Sequence, residues 1–194
     1  MLSRMSWARR LGLFLVVVAL VSGGLVLEHR LSPKHLLEVE PGFLYRSATL
    51  PPEQLADVVD EYGIRTVVNL RSVGENASGD WHAREADVLA QRGVELIDLP
   101  VNSGWYPPDE SLEGWLDVLE DENAGPILVH CEYGVIRTSL MVSIYKMEHH
   151  GEAFSEVWED FELFQSDLEE PIHSRLENYL SDYVPRASVP ENRL

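Results

Sequence analysis

The chain has 194 residues and a formal net charge of −18. That acidity excludes a nucleic-acid partner, which needs a basic face to neutralise phosphates. One cysteine excludes an internal disulfide and any cysteine-rich metal site, and no metal or cofactor is expected.

The first segment differs in kind from the rest. Arg4, Arg9 and Arg10 precede Leu11 to Leu27, a charge-free run made mostly of Leu and Val. At helical rise it covers about 26 Å, near the short limit for crossing a bilayer. An uncleaved signal anchor over 1–27 is the preferred reading. The Arg residues before the run and Glu28 after it predict the N-terminus inside and the domain outside. A cleaved signal peptide, with release to the periplasm, is the alternative, although Ser22-Gly23-Gly24 is a poor cleavage site.

Residues 28–41 read as a polar tether, 42–186 as the main domain and 187–194 as a flexible tail. Gly42 to Ala48 is a short strand. Pro52-Glu53 opens a helix with Leu55, Val58 and Val59 facing inward, and Gly63 ends it. Arg65 to Leu70 is a strand with Arg71 at its C-terminal end, where open α/β sheets place ligands. Gly74 to Gly79 is a polar loop that could line a cleft. Trp81 to Gln91 is helical, with Ala83, Ala86, Leu89 and Ala90 as inner positions. Val94 to Leu99 is a strand, and Leu112, Trp115, Leu116 and Leu119 mark an amphipathic helix up to Asp121.

Pro126 to Val129 leads as a buried strand into His130-Cys131-Glu132-Tyr133-Gly134-Val135-Ile136-Arg137-Thr138. A helix follows to His150, with Ile136, Leu140 and Ile144 on one face. Two more helices cover Ala153 to Gln165 and Pro171 to Val184, with Phe154, Val157, Trp158 and Phe161 as core. Strands alternating with helices predict an α/β fold with a mainly parallel sheet flanked by helices. A strand, a tight loop and a helix N-terminus together make an anion site. Its positive field favours thiolate at Cys131, and Arg137 adds a two-pronged donor for phosphate oxygens.

His130-Cys131-x5-Arg137-Thr138 resembles the signature of cysteine-dependent protein tyrosine and dual-specificity phosphatases, and the chain's short length resembles their compact bacterial type. The resemblance implies that Cys131 attacks phosphorus and becomes a phosphocysteine. Arg137, with the loop at Glu132, Tyr133, Gly134, Val135 and Ile136, would hold the non-bridging oxygens. Thr138 would donate to the sulfur, and His130 would orient the loop and keep the thiol acidic. Tyr45-Arg46-Ser47 and Asn69-Leu70-Arg71 resemble recurring family segments, with Arg71 a candidate phosphate contact.

The family's proton donor is an Asp about thirty residues before the Cys. Pro100 to Asp109 holds no Asp near Ser103 and Gly104. Asp109 is taken as the acid, against its reading as a helix N-cap; Asp98, Glu110 and Glu132 are further options. The five residues between Cys131 and Arg137 include one acid and no base. Phosphorylated protein side chains, phosphotyrosine among them, are therefore expected as substrates ahead of inositol phosphates. A non-catalytic phosphate-binding protein is the main rival, and a rhodanese-like sulfurtransferase a weaker one.

Overall fold

The computed structural model describes residues 33–165 and 169–186. The run over 11–27 and the tail over 187–194 lie outside the described residues. The chain divides at Pro33, and the unit from Lys34 onward carries the elements below.

Five strands form one sheet in the order β1-β2-β5-β3-β4. They are β1 (Leu37–Glu40), β2 (Leu44–Ala48), β3 (Thr66–Asn69), β4 (Glu95–Asp98) and β5 (Ile127–Cys131). β2, β5, β3 and β4 run parallel, as alternating strands and helices require. β1 pairs antiparallel with β2, Leu37 opposite Arg46 and Glu38 opposite Tyr45, so the sheet is mixed. The tether expected over 28–41 therefore ends in an edge strand. Its Leu-Glu-Val-Glu sequence is half exposed, short and acidic, with an irregular register between Glu38 and Glu40, all of which blunt a sheet edge.

β2, β3 and β5 are buried throughout because helices cover both faces. α1 (Pro52–Tyr62) and α3 (Trp81–Ala90) pack on one face, over Tyr45, Val67 and Leu128. α4 (Asp109–Glu120), α5 (Ile136–Tyr145), α6 (Phe154–Gln165) and α7 (Ile172–Asp182) cover the other, over Leu44, Val68 and Val129. A short α2 (Val73–Asn76) stands in the loop after β3.

Two helices depart from expectation. α5 is buried on every side from Arg137 to Tyr145, because it sits between the sheet and the outer helices; it passes into a π-helical turn over Lys146–His150. α3 turns Glu85 and Leu89 inward, while Ala83 and Ala90 are exposed. The inner face of α3 is chosen by a buried ion pair of Glu85, not by its alanines. Among the described residues no helix is long and apolar enough to cross a membrane.

Candidate active site

Strand pleating sets up the site. Alternate residues of β5 point to opposite faces, so Cys131 joins Ile127 and Val129 toward α5 while His130 points toward α3. After Cys131 the chain turns through a loop into α5. Gly134 has φ of 68°, and a Cβ there would lie 2.5 Å from Ala48 N and from the Ser47 carbonyl. Only glycine lets the loop lie this close to β2. Arg46 clamps it from below, donating from Nη2 to Gly134 O at 2.8 Å and Ser139 Oγ at 2.7 Å. The Arg46 guanidinium stacks over Phe164 at 4.0 Å, and burial lowers its pKa to about 10.

Cys131 is 2% exposed. Burial pushes its thiol up. The Thr138 hydroxyl, the Arg137 charge and the amides of Thr138 and Val135 outweigh burial and bring the pKa below the ordinary thiol value. The sulfur therefore sits in a positive field at the helix N-terminus, and the buried Thr138 Oγ1 makes no hydrogen bond of ordinary geometry.

Arg137 is held as a fork. Nη1 lies 2.6 Å from Glu75 Oε2 and Nη2 2.9 Å from Glu75 Oε1; Nη1 also donates to Val101 O at 3.3 Å and Leu70 O at 3.4 Å. Glu75 is fixed by a capping box at the start of α2: Ser72 donates from Oγ at 2.6 Å and from N at 2.9 Å to Oε2. Burial opposes the Glu75 charge, but Arg137 and Ser72 hold its pKa down at about 2.

On the other face His130 Nε2 lies 3.1 Å from Glu85 Oε1, both side chains buried. Burial disfavours imidazolium, yet the Glu85 carboxylate outweighs it and raises the His130 pKa above the ordinary value. Thr49 ties this pair to the loop. Its hydroxyl donates to Cys131 O at 3.2 Å and lies 3.5 Å from His130 Nδ1.

A cavity of about 290 Å³ opens over the sulfur, lined by Lys34, His35, Ser103, Cys131, Tyr133, Val135, Ile136 and Arg137. Glu132 and Gly134 are outside that lining: the Glu132 carbonyl accepts from Thr49 N, and Gly134 lies against β2.

Two expected contacts fall elsewhere. Asp109 is the exposed first residue of α4, capped by Pro108 with no side-chain cap, so it is neither in the cavity nor an N-cap. Its charge adds to burial in raising Tyr179 to about 12, which puts it near α7. Arg71 also lies outside the lining. Its guanidinium stacks on Trp81 at 3.8 Å, with Nε 3.5 Å from Glu75 Oε1 and Nη1 3.4 Å from Thr49 Oγ1. The Glu75 carboxylate and the Trp81 face lie against it, so it braces Glu75, and its buried Nε makes no hydrogen bond. Asp98 is likewise occupied, by Asn69 at 2.7 Å and His82 at 3.0 Å.

Glu75, Glu85, Thr49 and His35 were not among the expected site residues. Ser72-Val-Gly-Glu75 is a readable capping box, and directly after a strand it was the available signal for Glu75. Glu85 and His35 carry no comparable local signal.

The chain is similar to known proteins over part of its length. The chain is 30% identical over 108 residues to the dual specificity protein phosphatase TpbA of Pseudomonas aeruginosa, covering 56% of this chain and 44% of TpbA. It is 32% identical over 85 residues to the probable chloroplastic NAD kinase 2 of Oryza sativa, covering 43% of this chain and 8% of the kinase. The chain thus spans less than half the length of these curated relatives. The catalytic core of the PP-IP phosphatase SIW14 from S. cerevisiae has the same fold, with a TM-score of 0.64 at 16% identity over 78% of this chain and 86% of that one. Residues 39–175 match the family described as DSP-PTPase phosphatase fused to NAD+ kinase, more than half of the chain, and the chain belongs to that family.

Proposed function

We propose that the chain hydrolyses phosphate monoesters through a phosphocysteine, with phosphorylated tyrosine, serine or threonine side chains of proteins as substrates. The observation that carries this is a thiol of lowered pKa opening on the same cavity as a guanidinium fixed by a carboxylate. The Cys131 thiolate attacks phosphorus, an S–P bond forms and the bond to the ester oxygen breaks. Arg137 and the loop amides bind the non-bridging oxygens as charge builds on them. Thr138 donates to sulfur and eases its departure when water cleaves the S–P bond. His130, paired with Glu85, holds the start of the loop.

Substrate preference follows from charge. The loop from Glu132 to Ile136 carries no base and the chain as a whole is strongly acidic, which disfavours a polyanionic inositol phosphate whose charge exceeds what Lys34 and Arg137 of the cavity offset. Tyr133, 56% exposed at the cavity wall, offers a face to an aromatic ring. The charge-free run at 11–27 supports a membrane anchor with this domain on the outer side. Extraction of membranes at alkaline pH tests it: an anchored chain stays in the pellet and a released one does not.

The test of activity compares wild type, Cys131→Ser and Arg137→Ala on p-nitrophenyl phosphate, a phosphotyrosine peptide and inositol hexakisphosphate, with chelator present. Vanadate-sensitive turnover of the first two, abolished in Cys131→Ser and reduced about 100-fold or more in Arg137→Ala, is expected. Turnover that survives in Cys131→Ser overturns the proposal.

A further inference from the structure

Breaking the ester bond leaves an oxygen that needs a proton, and among the described residues no Asp or Glu lines the cavity above Cys131. Besides Cys131, Arg137 and a histidine, the polar side chains of the lining are Lys34, Ser103 and Tyr133. Histidine is the type that exchanges a proton near neutral pH, and His35 is in the lining.

The geometry around His35 is specific. His35 has φ of 56°, the one non-glycine residue in the left-handed region among the described residues. Such a conformation persists only where the surroundings impose it. Here Ala48 N donates to Lys34 O at 2.9 Å, pinning the segment beside the end of β2. Lys34 Nζ lies 4.9 Å above the Tyr133 ring. His35 Nδ1 lies 2.5 Å from Tyr133 O, within the phosphate loop itself. A carbonyl only accepts, so Nδ1 carries the hydrogen and Nε2 is left as the atom that gains and loses a proton. The charged groups sharing the cavity with it are Lys34, Arg137 and the Cys131 thiolate.

Resting on the phosphatase reading above, we propose that His35 is the proton donor to the leaving group, the role for which no carboxylate is in place among the described residues. In the first step the S–P bond forms, the P–O bond breaks, and the departing oxygen takes the proton from Nε2. In the second step the neutral Nε2 takes a proton from the water that attacks phosphorus. The S–P bond then breaks, inorganic phosphate leaves, and imidazolium and thiolate are restored. The bond from Nδ1 to the loop carbonyl holds the ring at a fixed position over the cavity.

The test measures kcat/KM, which reports the first step, for wild type, His35→Ala and His35→Asn over aryl phosphates of graded leaving-group pKa. Asparagine tolerates the left-handed conformation and can still donate to Tyr133 O, but has no proton to give. The expected loss in both variants grows from a few-fold with dinitrophenyl phosphate to about 100-fold with phenyl phosphate, and added imidazole restores part of it in His35→Ala. An equal loss on every substrate, no loss, or full activity in His35→Asn overturns the role. Wild type inactive on all of them overturns the phosphatase reading instead.

Discussion

Arg137 and Glu75 meet fork to fork, with contacts of 2.6 and 2.9 Å between residues 62 apart in sequence. The pair sets where the guanidinium points before any phosphate arrives, so less ordering remains to be done on binding. Glu75→Gln keeps one acceptor and removes the charge. It is expected to lower kcat/KM for phosphate esters about tenfold or more, with phosphate binding weakened in parallel. Arg137 is buried and loses its counter-charge, so stability should fall by about 3 kcal/mol, the low end for a broken buried pair, since the Glu75 side chain is 25% exposed. Denaturant melts and steady-state kinetics check both.

The same carboxylate predicts an acid limit. Its pKa is about 2 in the fold against an ordinary 4.5, so the pair contributes its full stability above pH 4.5 and loses it as pH falls toward 2. In Glu75→Gln that part of the acid unfolding profile should flatten.

Glu85 and His130 make the opposite prediction. The folded His130 pKa is raised, so the pair's stabilisation is complete below the unfolded value of about 6.5 and is lost as pH rises through the folded value. Glu85→Gln should therefore lower Tm most below that pH, with the gap to wild type narrowing in alkaline solution. A gap that widens with pH contradicts the assignment.

Gly134→Ala places a Cβ 2.5 Å from the backbone of Ser47 and Ala48, at φ of 68°. Backbone cannot yield as a side-chain tip can, so the loop itself must move. A loss of about 1–3 kcal/mol in stability is expected, with kcat falling further than stability alone explains. Thermal melts beside single-turnover rates separate the two.

How much of this was legible in sequence depended on how local the signal was. The stretch from Ile127 to Thr138 announced its strand, loop and helix because apolar run, Gly and basic helix start lie within a dozen residues. α1, β3, β4 and α4 were readable for the same reason. Glu75 and Glu85 were not placed, because a Glu on a polar loop or in an alanine-bearing helix reads as solvated until its partner, Arg137 or His130, is brought to it by the fold. The edge strand β1 hid for a different reason: Leu37 to Glu40 is half exposed and pairs on one side alone. Asp109 follows two prolines on the loop before α4, which reads as a position able to swing toward Cys131, but as the exposed first residue of α4 it lies outside the cavity. His35, within the stretch read as tether, was invisible because its role depends on the chain returning beside Tyr133.

The thiol offers a more direct handle. After burial, Thr138 is the largest influence on the Cys131 pKa and lowers it. Thr138→Val, which puts a methyl group where the hydroxyl was, should move the midpoint of iodoacetate alkylation to higher pH while keeping this fully buried position filled. An unmoved midpoint would show that the hydroxyl does not reach the sulfur.

The central claim is that the Cys131 sulfur accepts the phosphoryl group. Mass spectrometry of protein quenched in acid during turnover of p-nitrophenyl phosphate tests it most directly. The prediction is one phosphoryl group on the peptide containing Cys131, absent in Cys131→Ser. Turnover with that peptide unmodified, or turnover persisting in Cys131→Ser, contradicts it.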